Sequence, residues 1–254
     1  MTLTAQIFLT IVVIDYTQTG KKLNKTVLIT GGNKGIGLEV TKQFLDLDYN
    51  IIVIARDFKN FEFKNNPKIK QIEFNLSKVD DIPKLVDSLG NIDILINNAG
   101  VMYALPYNKY PNEQKDIMIK LNLKSPIKLI EEVSKSMLLK GNGRIVNNAS
   151  IAGQIGHPDV WYGITKAGLI NATKSFSKIF DGKIIINSVA PSPVETDMLD
   201  VIPKARQDAF LKTVITKRFA KPEEIAKTIV WLATESPEYI NGTCIDVNNG
   251  SFPR

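Results

Sequence analysis

The chain has almost nothing with which to cross-link itself or capture a metal. It holds one cysteine, Cys244, and one histidine, His157. No internal disulfide can therefore close, and no Cys/His cluster reaches the ligand count of a metal site. A reducing compartment is the expected setting, and the protein is expected to be cytoplasmic. A Ser-His-Asp or Cys-His mechanism would have to run through residue 157. Long apolar runs are also missing. Nothing approaches the roughly 18 residues needed to cross a bilayer. The longest N-terminal run, Ile7–Ile14, has no basic residue before it and Asp15 after it. Neither a membrane span nor a secretory signal is expected. Blocks of one charge are absent too: 32 Lys and Arg against 26 Asp and Glu give +6, spread along the chain. Without a basic stretch interleaved with aromatics, nucleic acid is not an expected partner. There is no Gly/Ser/Pro linker and no internal repeat, and 16 Gly and 12 Pro in 254 residues are ordinary usage.

What is present is an alternation. Short β-branched runs recur at Thr26–Thr30, Ile51–Ala55, Ile69–Phe74, Ile92–Asn97, Arg144–Asn148, Lys183–Val189 and Thr243–Val247. Several are apolar at consecutive positions, as strands buried on both faces of a parallel sheet must be. Helix-period segments lie between them, near Ile36–Leu47, Val79–Ser88, Pro111–Lys140, Trp161–Phe180 and Pro222–Thr234. In the last, Pro222 and two acids fill the first turn, where they suit the positive end of the helix dipole. The alternation predicts an α/β fold of Rossmann type: a doubly wound, mainly parallel seven-stranded sheet with helices on both faces. Residues 23–254 are expected to form a single domain, with residues 1–22 as an N-terminal extension of unassigned role.

The first strand runs directly into Thr30–Gly37, in which Gly31, Gly35 and Gly37 give the spacing G-x-x-x-G-x-G. Glycine there permits a sharp turn and lets backbone N–H groups and a helix N-terminus approach a pyrophosphate. The second strand closes with Ala55, followed by Arg56 and Asp57. This is where a dinucleotide's adenosine ribose is expected. Arg56, with Lys34 in the Gly-rich loop, offers two cations to a 2′-phosphate, which favours NADP(H), with NAD(H) as the second option. If both are plain surface charges, Asp57 is left to meet the ribose.

Tyr162 and Lys166 stand four residues apart on one face of a predicted helix. A phenol titrates near 10 and is a poor acid–base at neutral pH. A fixed ammonium beside it should lower that value towards the working range. The pair is common by chance, but the blocks around it are not. Thr30–Gly37, Asn97–Gly100, Leu121–Leu123, Gly143–Ser150, Tyr162–Lys166, Asn187–Thr196, Arg218–Ala226 and Ile240–Gly250 follow one another in order. Together they resemble the short-chain dehydrogenase/reductases from about Lys25 to Arg254, and within them the β-ketoacyl-[acyl-carrier-protein] reductases and their relatives.

The resemblance implies a set of roles. Tyr162 exchanges a proton with the substrate oxygen, Ser150 hydrogen-bonds that oxygen, and Lys166 lowers the Tyr162 pKa and binds the nicotinamide ribose. Asn122 anchors a water that relays protons to Lys166. Cofactor contacts are implied at Gly31, Asn33, Lys34, Gly35, Ile36, Gly37, Arg56, Asn75, Leu76, Asn98, Ala99, Gly100, Tyr162, Lys166, Pro191, Val194 and Thr196. No metal is implied. The substrate is expected to be a small carbonyl or alcohol compound, with a 3-oxoacyl thioester on an acidic carrier protein as one form. Lys140, Lys178 and Lys183 are candidates for a docking patch, and the assembly is expected to be a homotetramer or homodimer. Some positions depart from the family pattern. Asn75 replaces an acid. Ser192 replaces a glycine and would be strained if that position needs positive φ. The loop from Ser150 to Tyr162 is about one residue short. These departures are the only support for an alternative, a non-catalytic nucleotide-sensing protein on the same fold.

Overall fold

A computed structural model describes residues 25–253, so the N-terminal extension lies outside the described residues. The strands are β1 (Thr26–Thr30), β2 (Asn50–Ala55), β3 (Ile69–Glu73), β4 (Ile94–Asn97), β5 (Arg144–Asn148), β6 (Ile185–Pro191) and β7 (Cys244–Val247). They form one sheet in the order β3-β2-β1-β4-β5-β6-β7, and every pairing is parallel. The order follows from burial: Val27, Leu28 and Ile29 of β1 and Ile51 to Ile54 of β2 are covered on both faces, which only crossovers on either side can achieve. The chain runs outward from β1 to β3 and then returns to place β4 beside β1. That reversal opens a crevice at the carboxyl ends of β1 and β4.

On one face pack α1 (Gly35–Asp46) and α8 (Pro222–Thr234), through Val40 and Phe44 of the first and Ile225, Ile229 and Leu232 of the second. The other face takes α2 (Ile82–Asp87), α4 (Ser125–Lys140) and α5 (Val160–Ile179), with Ile82, Leu129, Val133, Met137 and Phe176 among the packed side chains. Because all strands run one way, the loops that build a site gather at one edge of the sheet. The return turns at the opposite edge pass through Gly90, Gly141 and Gly182, where an added Cβ would meet no atom within 4 Å.

Three segments differ from the sequence expectation. Pro111–Lys140 is not one regular helix: α3 (Asn112–Ile119) passes into a π turn, Lys120–Lys124, before α4 begins. Proline has no N–H, so Pro126 cannot donate to the Asn122 carbonyl four residues earlier, and the helix widens by one residue there. β6 starts at Ile185 rather than Lys183, because the Lys183 N–H still turns back to the Phe180 carbonyl at 3.0 Å. After β6 come two helices that the apolar pattern does not predict, α6 (Asp197–Asp200) and α7 (Lys204–Thr213), neither of which buries a residue.

Candidate active site

The Gly-rich turn forms the floor of the crevice. Gly31 has φ +65 and lies so close to the next loop that a Cβ would stand 3.2 Å from the Ala99 Cα. A Cβ on Gly37 would overlap the Gly31 carbonyl oxygen, so the turn closes only with glycine there. Its neighbour loop is stitched to it. Thr30 Oγ1 accepts from the N–H groups of Asn98 (2.9 Å) and Ala99 (3.0 Å). Asn98 Nδ2 donates to the carbonyls of Thr30 (3.1 Å) and Gly31 (3.2 Å). Thr196 leans over the turn, with Cγ2 3.2 Å from where a Cβ of Gly35 would be.

The start of α1, from Gly35 through Ile36 and Gly37, suits an anion. Its N-cap, Lys34, makes no side-chain cap bond, and its first turn holds no acid. The first-turn N–H donors therefore point into the crevice with no side chain of the helix to accept them. Close glycine backbone and free first-turn donors are the donor set a pyrophosphate requires, so these residues fit a dinucleotide.

At the outer end, Arg56 follows β2 and is exposed, and Asn33 Nδ2 donates to the Asp57 carbonyl at 2.9 Å. Lys34 does not stand free beside Arg56: its Nζ is 2.7 Å from Asp197 Oδ2. Both partners of that pair are largely exposed, so it is worth at most about 1 kcal/mol and exchanges readily. Asn75 Oδ1 accepts from the Ser77 N–H (3.1 Å) and hydroxyl (2.8 Å), which leaves its amide NH2 as the donor facing outward chemistry. Leu76 is buried in the core.

Tyr162, Lys166 and Ser150 come together at the inner end. Tyr162 and Lys166 share one face of α5 and are 7 % and 5 % exposed. The Ser150 hydroxyl lies near enough to the phenol to oppose the rise in its pKa. Ser150 Oγ also accepts from the Ala152 N–H at 3.1 Å and faces the Pro191 carbonyl at 3.5 Å. Lys166 Nζ donates to the Asn148 carbonyl at 2.7 Å and stands 5.6 Å from the centre of the Tyr162 ring. Burial moves both pKa values: it raises the phenol to about 12, against the opposing pull of the Ser150 hydroxyl and with a further rise from Asp159. It lowers the ammonium to about 8. The Lys166 ammonium does not bring the phenol down towards neutrality as its spacing predicts, because in the folded chain desolvation dominates both groups.

Asn122 sits in the π turn and is buried. Its side chain forms a reciprocal pair with the Val101 backbone, both bonds 2.8 Å, and reaches Thr165 Oγ1 at 3.4 Å. A Cβ on Gly100 would lie 3.4 Å from Asn122 Oδ1 and 3.7 Å from Lys166 Nζ, so these three positions converge. Val194 is buried and bridges to Ala220. Ser192 does not adopt positive φ, so the strain expected of it is absent. Tyr103, Tyr110, Trp161, Met198 and Ile202 pack in one cluster with Tyr162 and form an apolar wall beside it.

Two residues that matter here went unnoticed in the sequence. The Asn148 carbonyl holds Lys166, a backbone role with no residue signature. Asp159 caps α5, and an Asp immediately ahead of an apolar helical run is the signal that marks it.

The comparisons agree with this geometry. The short chain dehydrogenase family matches residues 25–207. The 3-oxoacyl-[acyl-carrier-protein] reductase FabG of Staphylococcus epidermidis is 31 % identical over 243 residues, covering 91 % of this chain and all of that protein. The solved structure of ElxO with NADP bound superposes with a TM-score of 0.81 at 28 % identity, over 90 % of this chain and 99 % of that one. 4-Hydroxyisoleucine dehydrogenase complexed with NADH gives 0.85 at 27 % identity, over 90 % and 98 %. The chain therefore belongs to the short-chain dehydrogenase family and is an NAD(P)-dependent oxidoreductase acting on alcohol and carbonyl groups.

Proposed function

We propose that the protein is an NADP(H)-dependent carbonyl reductase with Tyr162 as its general acid–base and a 3-oxoacyl thioester as its leading substrate. One observation carries this reading: a buried phenol with an ammonium 5.6 Å from the centre of its ring, at the inner end of a crevice floored by a phosphate-shaped turn. Bound nicotinamide supplies the hydride. Tyr162 gives its proton to the carbonyl oxygen, and the Ser150 hydroxyl holds that oxygen in place. Lys166 faces the phenol and replaces its lost proton through its own ammonium. Asn122 fixes the 101 loop and, with its carbonyl freed by Pro126, holds the water that refills Lys166. A phenol at about 12 keeps its proton at neutral pH, which suits giving it to a carbonyl. The positive charge of oxidised nicotinamide favours the phenolate and so the return of the proton in the oxidation direction.

Arg56 supports the preference for NADP(H), and Lys34 joins it by releasing Asp197. The thioester reading rests on the named activity of the reductase relatives, and delivery by a carrier protein goes with it. Exposed apolar residues on α4 and α5, Leu139, Ile164 and Ile179, support self-association through those helices, as a homodimer or homotetramer. The test is an NADPH-oxidation assay comparing acetoacetyl thioesters with sugars and simple ketones. Reduction of the thioester is expected, with Tyr162→Phe inactive but still binding NADPH. Full activity in that variant would remove Tyr162 from the chemistry.

A further inference from the structure

Asp159 is fully buried and has no ion pair with Lys or Arg among the described residues. A carboxylate in that position survives only if its oxygens are satisfied by donors. Oδ1 accepts from the Tyr162 N–H at 3.1 Å, capping α5. Oδ2 accepts from the Tyr110 hydroxyl at 3.0 Å and from the Ala104 N–H at 3.0 Å. The positive end of a 20-residue helix adds to these dipoles. Ala104 has φ 55, a left-handed conformation that costs a residue with a Cβ about 1–2 kcal/mol. The bond to Asp159 holds it there. One carboxylate thus ties the turn that presents Tyr162 to both ends of the wall segment 104–110.

We propose that Asp159 is a positioning residue that clamps the wall segment to the catalytic helix and whose charge keeps the Tyr162 phenol in its protonated form. The inference rests on the acid–base reading of Tyr162. The groups that face the phenol are Lys166 on its own helix, Ser150 from the β5 loop, and the His157 ring, 5.6 Å away and tilted by 54°. Burial lowers the His157 pKa, with Arg206 of α7 pushing the same way against a backbone bond to Asp159, which favours the neutral ring. Its Nδ1 lies 3.1 Å from the Asp159 carbonyl and 3.2 Å from the Asp159 N–H. Asp159, held at the Tyr162 backbone N–H, adds a negative charge beside that set and raises the Tyr162 pKa.

The full chain is prepared with 13Cζ-tyrosine as wild type, Asp159→Asn, Tyr110→Phe and Tyr162→Phe, the last to assign the resonance. Asp159→Ser, neutral but still a helix cap, is measured alongside in case the amide variant does not fold. Ionisation of Tyr162 is followed by NMR with saturating NADP+ from about pH 7 to about pH 10.5. In the neutral variants a larger phenolate fraction is expected at each pH, a downward move of about one pH unit. Tyr110→Phe keeps the charge and should leave that titration in place. With acetoacetyl-CoA, kcat/KM should fall about tenfold in Tyr110→Phe and in the neutral Asp159 variants, mainly through KM, as the wall loosens. Equal phenolate fractions in wild type and both neutral variants would overturn the proposal, whatever their melting temperatures, and leave Asp159 as a helix cap. Retained reduction by Tyr162→Phe would instead sink the acid–base reading, while the NMR titration would still report on Asp159.

Discussion

Lys166→Met should make the protein more stable while abolishing its activity. Burial carries the Lys166 ammonium from its usual 10.5 down to about 8. At about 1.4 kcal/mol per pH unit, holding that charge in the folded chain costs about 3 kcal/mol at neutral pH. Methionine fills the same length of unbranched side chain without the charge. It also gives up the 2.7 Å bond to the Asn148 carbonyl, which returns about 1 kcal/mol. The net gain is about 2 kcal/mol, or about 4–8 °C in Tm for a chain of this size. The pH dependence is a sharper check than the size. Below pH 8 both folded and unfolded chains hold the proton, and the full cost is present. Between about 8 and 10.5 the unfolded chain holds a proton that the folded chain lacks, so wild-type stability rises with pH. Above 10.5 the cost is gone. The Tm gap between variant and wild type should therefore be widest at pH 7 and close as pH approaches 10.5. The raised Tyr162 pKa acts on both proteins alike and cancels in the difference. Calorimetric or fluorescence melts across that range decide it. A variant no more stable than wild type at pH 7, or a gap that stays constant with pH, would refute the burial argument.

Other outcomes follow from single contacts. Arg56→Ala should weaken NADPH binding about 10- to 100-fold, the worth of a charge-assisted pair of bonds, and leave NADH within about twofold, as read by cofactor fluorescence. Equal effects on both cofactors would remove the phosphate assignment. Gly37→Ala should lose cofactor binding and cost about 3 kcal/mol or more of stability, because its Cβ would overlap the Gly31 carbonyl; a normal Kd would mean the turn has another way to close. Pro126→Ala restores the missing N–H donor to the Asn122 carbonyl. It should reduce kcat about tenfold or more with Tm unchanged or higher, measured by steady-state kinetics and thermal melts.

The strands were legible in the sequence because burial on both faces writes consecutive β-branched residues, and β1 and β5 match residue for residue. The helix Pro222–Thr234 also matches, its start marked by Pro222 and the acids behind it. What pattern reading missed has physical causes. The π turn at Asn122 depends on a donor missing four residues later, which hydrophobic periodicity does not register. Helix α7 buries no residue, so it carries no apolar stripe to find. At the site, residue identities were readable but not their electrostatics. The Tyr162–Lys166 spacing shows that the two groups meet, while the direction in which each pKa moves depends on a depth of burial set by distant loops. Lys34 is similar: its pairing with Asp197 joins the loops that follow β1 and β6, residues 163 positions apart in the chain.

The one-way sheet also divides the molecule for practical use. Everything chemical lies on one rim, and the turns at Gly90, Gly141 and Gly182 on the far rim face open space. An epitope, fluorophore or immobilisation tether grafted at one of those three turns would hang clear of the crevice, leaving turnover to be watched on a surface-anchored enzyme whose mouth points into the solution.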